Sequence, residues 1–193
     1  MDVIKLKTPV LDRLTEEEFF EFCQDHRDLR IERGADHQIT IMPPASSETG
    51  SFNNELSRQL ANWNVDTALG ITFDSSAGFT LSTGAMLSPD ASWIAQARWD
   101  ALSADDRRGF ARICPDFVVE LLSPSDRLTD TMRKMEHWLE AGARLAWLIA
   151  PASESVFIFE PNRPVRPLQG FDRTVSGEPL LPGFALELRR LLS

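Results

Sequence analysis

"PDFVVELLSPSDRLTDTMRKMEHWLEAGARLAWLIA", residues 115–150, decides the fold. It opens with a short apolar run, "FVVELL" (117–122), that reads as a central strand. Leu128, Met132, Met135, Trp138 and Leu139 then recur at helical spacing and predict a helix with one apolar stripe. Gly142 is the natural C-terminal cap of that helix. "RLAWLIA" (144–150) follows as a nearly continuous apolar run, the mark of a strand buried on both faces. A strand, a helix and a strand in this order predict a parallel pair with a right-handed crossover.

Outward from this unit the pattern changes. Towards the N-terminus, "LTEEEFFEFCQDH" carries Thr15 with Glu18 three residues on, a capping-box pattern that predicts a first helix. "LRIERG" and "QITIMPP" alternate as two strands around a turn at 34–37. Phe52, Leu56, Leu60 and Trp63 mark a second helix. From Gly70 to Ala95, short strands broken by "SSAG" and "STGA" suggest hairpins. Residues 97–113 read as a polar connector with a short helix after Ser103. Beyond the central unit, "SVFIFEP" predicts a strand and "PLLPGFALELRRLL" closes the chain. The expectation is an α/β (α+β) fold, a mixed β-sheet flanked by helices, forming a single domain over 1–193.

Composition narrows the function. The chain has 193 residues, 42% hydrophobic and 25% charged, as an ordinary globular domain does. No apolar run approaches the roughly 20 residues that span a bilayer, and the N-terminus lacks a signal-peptide pattern. Two cysteines, Cys23 and Cys114, build no disulfide framework. A cytoplasmic protein with no membrane partner is therefore expected. The net charge of −9 is uneven: residues 1–96 contribute −8 and residues 97–193 only −1. Bulk electrostatics of this sign oppose nucleic-acid binding. Three scattered histidines lack zinc-ligand spacing, and there is no glycine-rich phosphate loop, GxSxG elbow or CxxC pair.

Two carboxylates sit where strands prefer none. Glu120 interrupts "FVVELL", and Asp90 follows Pro89 at the entrance to the apolar run "ASWIA". A buried carboxylate is costly unless paired, hydrogen-bonded or metal-bound. The plainer readings are a turn at Pro89–Asp90 and a solvent-facing Glu120. Asp116 shares the strand face of Glu120, but their α-carbons lie about 13 Å apart at ~3.3 Å per residue. Glu120 therefore needs its partner from another element, and Asp90 is the best candidate. Of the three lysines, Lys134 lies about 40° from Trp138 on the helix, at the edge of the apolar stripe. It can bring its ammonium to the end of a sheet or pair on the surface with Asp130.

"RIERGADHQITIMPP", "FDSSAGFTL", "SPDASWI", "CPDFVVELLSPSD", "KMEHWLEAGARLAWLIAP" and "LPGFALEL" occur in the order found in the Uma-two family of proposed endonucleases. The chain resembles that branch of the PD-(D/E)XK nuclease superfamily from about residue 12 to the end. The resemblance implies a restriction-endonuclease-like fold, a Mg²⁺ or Mn²⁺ cofactor and hydrolysis of DNA phosphodiester bonds. It implies Asp90 and Glu120 as metal-binding catalytic carboxylates, helped by the backbone carbonyl of Leu121, and Glu32 as a further acidic residue. The superfamily sets a lysine two residues after the glutamate, where this chain has Leu122. Either the basic role has moved to Lys134 or catalysis has been lost. The alternative is thus an interaction module on the same fold, binding another protein. Restriction-type nucleases also make a homodimer an expectation by analogy.

Overall fold

The computed structural model describes residues 3–124 and 126–192. In chain order the first elements are β1 (Ile4–Leu6), α1 (Glu16–Asp25), β2 (Arg30–Arg33), β3 (Ile39–Met42) and α2 (Ser47–Thr67). There follow β4 (Gly70–Asp74), β5 (Phe79–Thr80), β6 (Met86–Leu87), β7 (Ala91–Ala95), α3 (Gln96–Asp100), β8 (Phe117–Leu121) and α4 (Leu128–Glu140). The last are β9 (Leu145–Ala150), β10 (Ser155–Phe159), β11 (Arg166–Gln169), β12 (Thr174–Ser176) and β13 (Ala185–Glu187).

The central unit forms as its sequence predicts. β8 and β9 pair in parallel, with Phe117 opposite Leu145 and Glu120 opposite Leu148. All residues of both strands are buried. They lie in the middle of a six-stranded sheet ordered β11-β10-β9-β8-β7-β4, whose other neighbours are antiparallel. α4 stops where Gly142 takes φ +115°. The Ala143 N–H reaches back to the Trp138 carbonyl and the Gly142 N–H to that of Leu139, the paired bonds of a Schellman cap. A side chain other than glycine is strained at that φ.

Strand alternation divides the core into two faces. Phe117, Val119 and Leu121 of β8 pack with Leu56 and Leu60 of α2 and with Leu181, Phe184 and Leu186 near the C-terminus. Val118 faces the other way, towards Met135 and Trp138 of α4 and towards Phe79 and Leu81. Burial of each large side chain in such a cluster is worth roughly 1.5–3 kcal/mol. By the same alternation Glu120 belongs to the α4 face. That is the face a lysine on α4 can reach.

A second sheet, ordered β1-β3-β2-β6-β5, carries α1 through Phe19, Ile31, Ile39 and Met86. The capping box of α1 forms as expected: Thr15 accepts from the Glu18 N–H, and Glu18 accepts from the Thr15 N–H. β12 and β13 make a separate two-stranded ribbon.

The expected mixed sheet is the six-stranded one, and the described strands form two further sheets beside it. Three expectations need correction. The "SSAG" break is not a hairpin, because β4 pairs with β7 while the chain crosses to the second sheet at β5. The short helix lies at Gln96–Asp100, directly after β7, and not beyond Ser103. Leu128 opens α4 but is 41% exposed, so the apolar stripe begins later.

Candidate active site

β8, β7, β2 and α4 converge where β8 ends. Asp90 precedes β7, and its N–H continues the ladder by donating to the Val119 carbonyl at 2.9 Å. Its Oδ2 then accepts the Leu121 N–H at 2.7 Å, so the carboxylate is fastened to the β8 backbone. Pro89–Asp90 is therefore more than a turn at a strand entrance. Asp90, Glu120 and Glu32 are each about 95% buried, at 5%, 4% and 5% exposure.

Lys134 closes the group from α4. Its Nζ lies 2.8 Å from Glu32 Oε1 and 2.8 Å from Glu120 Oε1. Asp130, the alternative surface partner, pairs instead with Lys5. Trp138, one turn further along α4, donates its indole N–H to the same Glu120 oxygen at 2.9 Å. Glu32 Oε1 also accepts the Ser88 N–H at 3.0 Å. All four side chains named from the sequence thus meet, drawn from four elements.

Arg30 is the member that sequence reasoning missed. Its Nη1 lies 2.8 Å from Asp90 Oδ1, and its Nη2 donates to the Ser88 carbonyl at 2.6 Å. A signal was present: Arg30 and Glu32 are two residues apart on β2 and share a face.

Asp116 is held elsewhere, as the strand geometry requires. Fully buried, it accepts the Ala95 N–H at 2.9 Å and faces Arg98 at 2.9 Å and Arg144 at 3.6 Å. The chain contains two Pro-Asp pairs, and the structure assigns them different work. Asp116 ties β7 and β9 to the start of β8; Asp90 joins the carboxylate cluster. Leu122, two residues beyond Glu120, packs against the apolar cluster beneath α4.

Three carboxylates against two cations leave the group one negative charge when all are ionised. Burial pushes the Glu120 carboxyl up to about 7; Lys134 opposes this, while Asp90 and Glu32 add to it. For Lys134, burial alone would lower the pKa, but Glu120 and Glu32 outweigh it and hold it above its ordinary value. Lys134 is therefore a cation and hydrogen-bond donor at neutral pH, not a general base.

The chemistry of the donors fits a small hard cation. Mg²⁺ and Mn²⁺ take carboxylate and carbonyl oxygens, and Mg²⁺ typically uses only one or two protein carboxylates beside substrate oxygens. An ionised carboxylate offers about four lone pairs. Asp90 spends two on Arg30 and Leu121, and Glu120 spends two on Lys134 and Trp138. Among the described residues no three His, Cys, Asp or Glu side chains form a ready-made metal cage.

The family model described as "Putative restriction endonuclease", Uma2, matches residues 16–189. The chain belongs to the Uma2 family. A Uma2-like architecture also occurs in the crystal structure of a "putative nuclease belonging to DUF820" from Anabaena variabilis. That structure superposes with a TM-score of 0.71 at 20% identity, covering 83% of this chain and 88% of the other. No curated protein matches this Uma2 chain. The nuclease-type fold expected from the resemblance is thus the fold found. No helix of the described residues is long and apolar enough to cross a membrane.

Proposed function

We propose that this Uma2 chain is a metal-dependent endonuclease acting on DNA, with a PD-(D/E)XK-type site whose lysine has moved from the strand to α4. The observation that carries this reading is the position of Lys134 Nζ, 2.8 Å from both Glu32 and Glu120 in the group that contains Asp90. A divalent ion held by Asp90, Glu120 and the Leu121 carbonyl would supply charge neutralisation at the attacked phosphate and a lowered pKa for water.

The chain's own residues do the rest. Asp90 is fixed by the Leu121 N–H, so its carboxylate keeps one orientation. Lys134 stays protonated and presents a donor where negative charge develops on the phosphoryl oxygens. Glu32 holds the lysine together with Glu120, and the Ser88 N–H holds Glu32. Trp138 fixes Glu120 from within the core and keeps water from that side.

The test is cleavage of plasmid and single-stranded DNA with Mg²⁺ or Mn²⁺ by the wild type, Asp90→Ala, Glu120→Ala and Lys134→Ala. Metal-dependent nicking that falls by roughly 10²–10³ in each folded variant supports the assignment. Folded variants that cleave like wild type would sink it. Absence of both cleavage and Mn²⁺ binding in the wild type would favour the interaction module, with another protein or a second copy as its ligand.

A further inference from the structure

We propose that Arg30 is an internal counter-ion that occupies Asp90 until a divalent cation replaces it there, and that its released guanidinium then takes a phosphate oxygen of the substrate. This rests on the reading of Asp90 as a metal-binding carboxylate.

The two oxygens of Asp90 are held differently. Oδ2 accepts a backbone N–H from the middle of the sheet, and that donor cannot withdraw while β8 is folded. Oδ1 is held by a side chain, the Arg30 guanidinium at 2.8 Å. Asp90 keeps free lone pairs beside Arg30, but a divalent ion and a guanidinium on the same carboxylate repel each other at short range in a poorly screened site. That repulsion favours release of Arg30, since of the two donors on Asp90 only the side chain can withdraw.

Arg30 is also the more loosely held of the two cations. Lys134 is gripped by two carboxylates. Arg30 has one carboxylate and one carbonyl, that of Ser88. Its Nε is buried and has no hydrogen-bond partner, so the guanidinium carries a donor that the resting arrangement does not use. Its side chain is 30% exposed, whereas that of Asp90 is 7% exposed, which places Arg30 at the rim of the group. Asp90, Glu32 and Glu120 all act to hold its charge against the effect of burial. A permanently charged planar fork at the edge of a carboxylate cluster matches a phosphate in shape and charge. Lysine would not match it in the same way.

The experiment compares wild type, Arg30→Gln and Arg30→Lys, each first shown to melt cooperatively. Mn²⁺ binding is measured by calorimetry, and binding of a labelled DNA duplex by anisotropy with Ca²⁺ present. Arg30→Gln should bind Mn²⁺ about tenfold more tightly, because Asp90 has lost its internal competitor, and the duplex about tenfold more weakly. Arg30→Lys, which retains the charge, should gain less Mn²⁺ affinity. A merely structural arginine would not make metal binding tighter when removed.

Equal or weaker Mn²⁺ binding by folded Arg30→Gln would overturn the exchange while leaving the metal reading intact. Tighter Mn²⁺ binding with unchanged duplex affinity would overturn the phosphate role. Mn²⁺ binding by none of the three proteins would overturn the metal reading itself, and the exchange with it. Should Arg30→Gln fail to fold, Arg30→Lys decides: Mn²⁺ affinity that does not rise above that of wild type, or duplex affinity that does not fall below it, overturns the proposal.

Discussion

Trp138 donates its indole N–H to Glu120 Oε1 at 2.9 Å from a position that is itself fully buried. A core tryptophan therefore does two jobs: it packs the α4 face of the sheet and it supports the ionised form of a buried carboxylate. Trp138→Phe separates them. Loss of the donor and of ring volume should cost about 1–3 kcal/mol in urea unfolding. With one donor fewer to its charged form, the Glu120 carboxyl should also titrate higher. In a cleavage assay the acidic limb of the pH–rate profile should move upward; a limb that stays put while stability falls would mean that Trp138 only packs.

Glu120 itself gives folding a pH dependence of unusual sign. Its carboxyl stands at about 7 in the folded chain against an ordinary value of 4.5. Below the lower value both folded and unfolded chains hold the proton, and no penalty arises. Between the two, the unfolded chain has released it and the folded chain has not, so stability falls as pH rises and levels off above about 7. The full loss is on the order of 3 kcal/mol. Urea unfolding of wild type and Glu120→Gln from pH 4.5 to 8 should show this decline in the wild type alone. Parallel curves would show that Glu120 does not set it.

Lys134→Met keeps much of the side-chain volume and removes the charge shared by Glu32 and Glu120. Breaking one side of a buried ion pair costs roughly 3–5 kcal/mol, largely because the remaining charge is uncompensated. Adding Glu120→Gln should therefore restore part of the stability lost by Lys134→Met, which two independent sites would not do. Thermal unfolding of the two single variants and the double variant measures the coupling; strict additivity would contradict it.

Asp116 supplies the contrast. Asp116→Asn removes the charge from a residue that Arg98, Arg144 and the Ala95 N–H all engage. A stability loss of about 2–4 kcal/mol is expected. DNA cleavage per folded molecule should be unchanged, because this aspartate lies outside the Asp90–Glu120 group. Loss of cleavage in a folded Asp116→Asn protein would show that the two Pro-Asp pairs are not separate in function.

What could be read from the sequence followed from period. Helical spacing placed Trp138 on the stripe and Lys134 at its edge, and alternation put Glu120 on the face that α4 covers. Both are local rules: Trp138 is buried as the stripe requires, and Lys134 takes the sheet-end alternative while Asp130 pairs with Lys5. Arg30 needed more: its partners Asp90 and Ser88 lie about sixty residues away, and their approach depends on β2 pairing with β6 through Arg33 and Met86. No periodicity encodes that pairing. The second sheet was missed for the same reason, since β5 and β6 are only two residues long each. Such strands are too short to show alternation.

The route by which the lysine reaches Glu120 has a further consequence. In a strand-borne site the cation and the carboxylate share one backbone and cannot be parted while the sheet survives. Here Lys134 and Trp138 lie on consecutive turns of α4, while Asp90 and Glu120 belong to the sheet. A sub-global opening that lifts α4 away would strip both supports from Glu120 at once and leave the sheet standing. Under the proposed function, competence would then depend on the docking of one helix, and native-state hydrogen exchange of α4 amides would report how often the assembled state is interrupted.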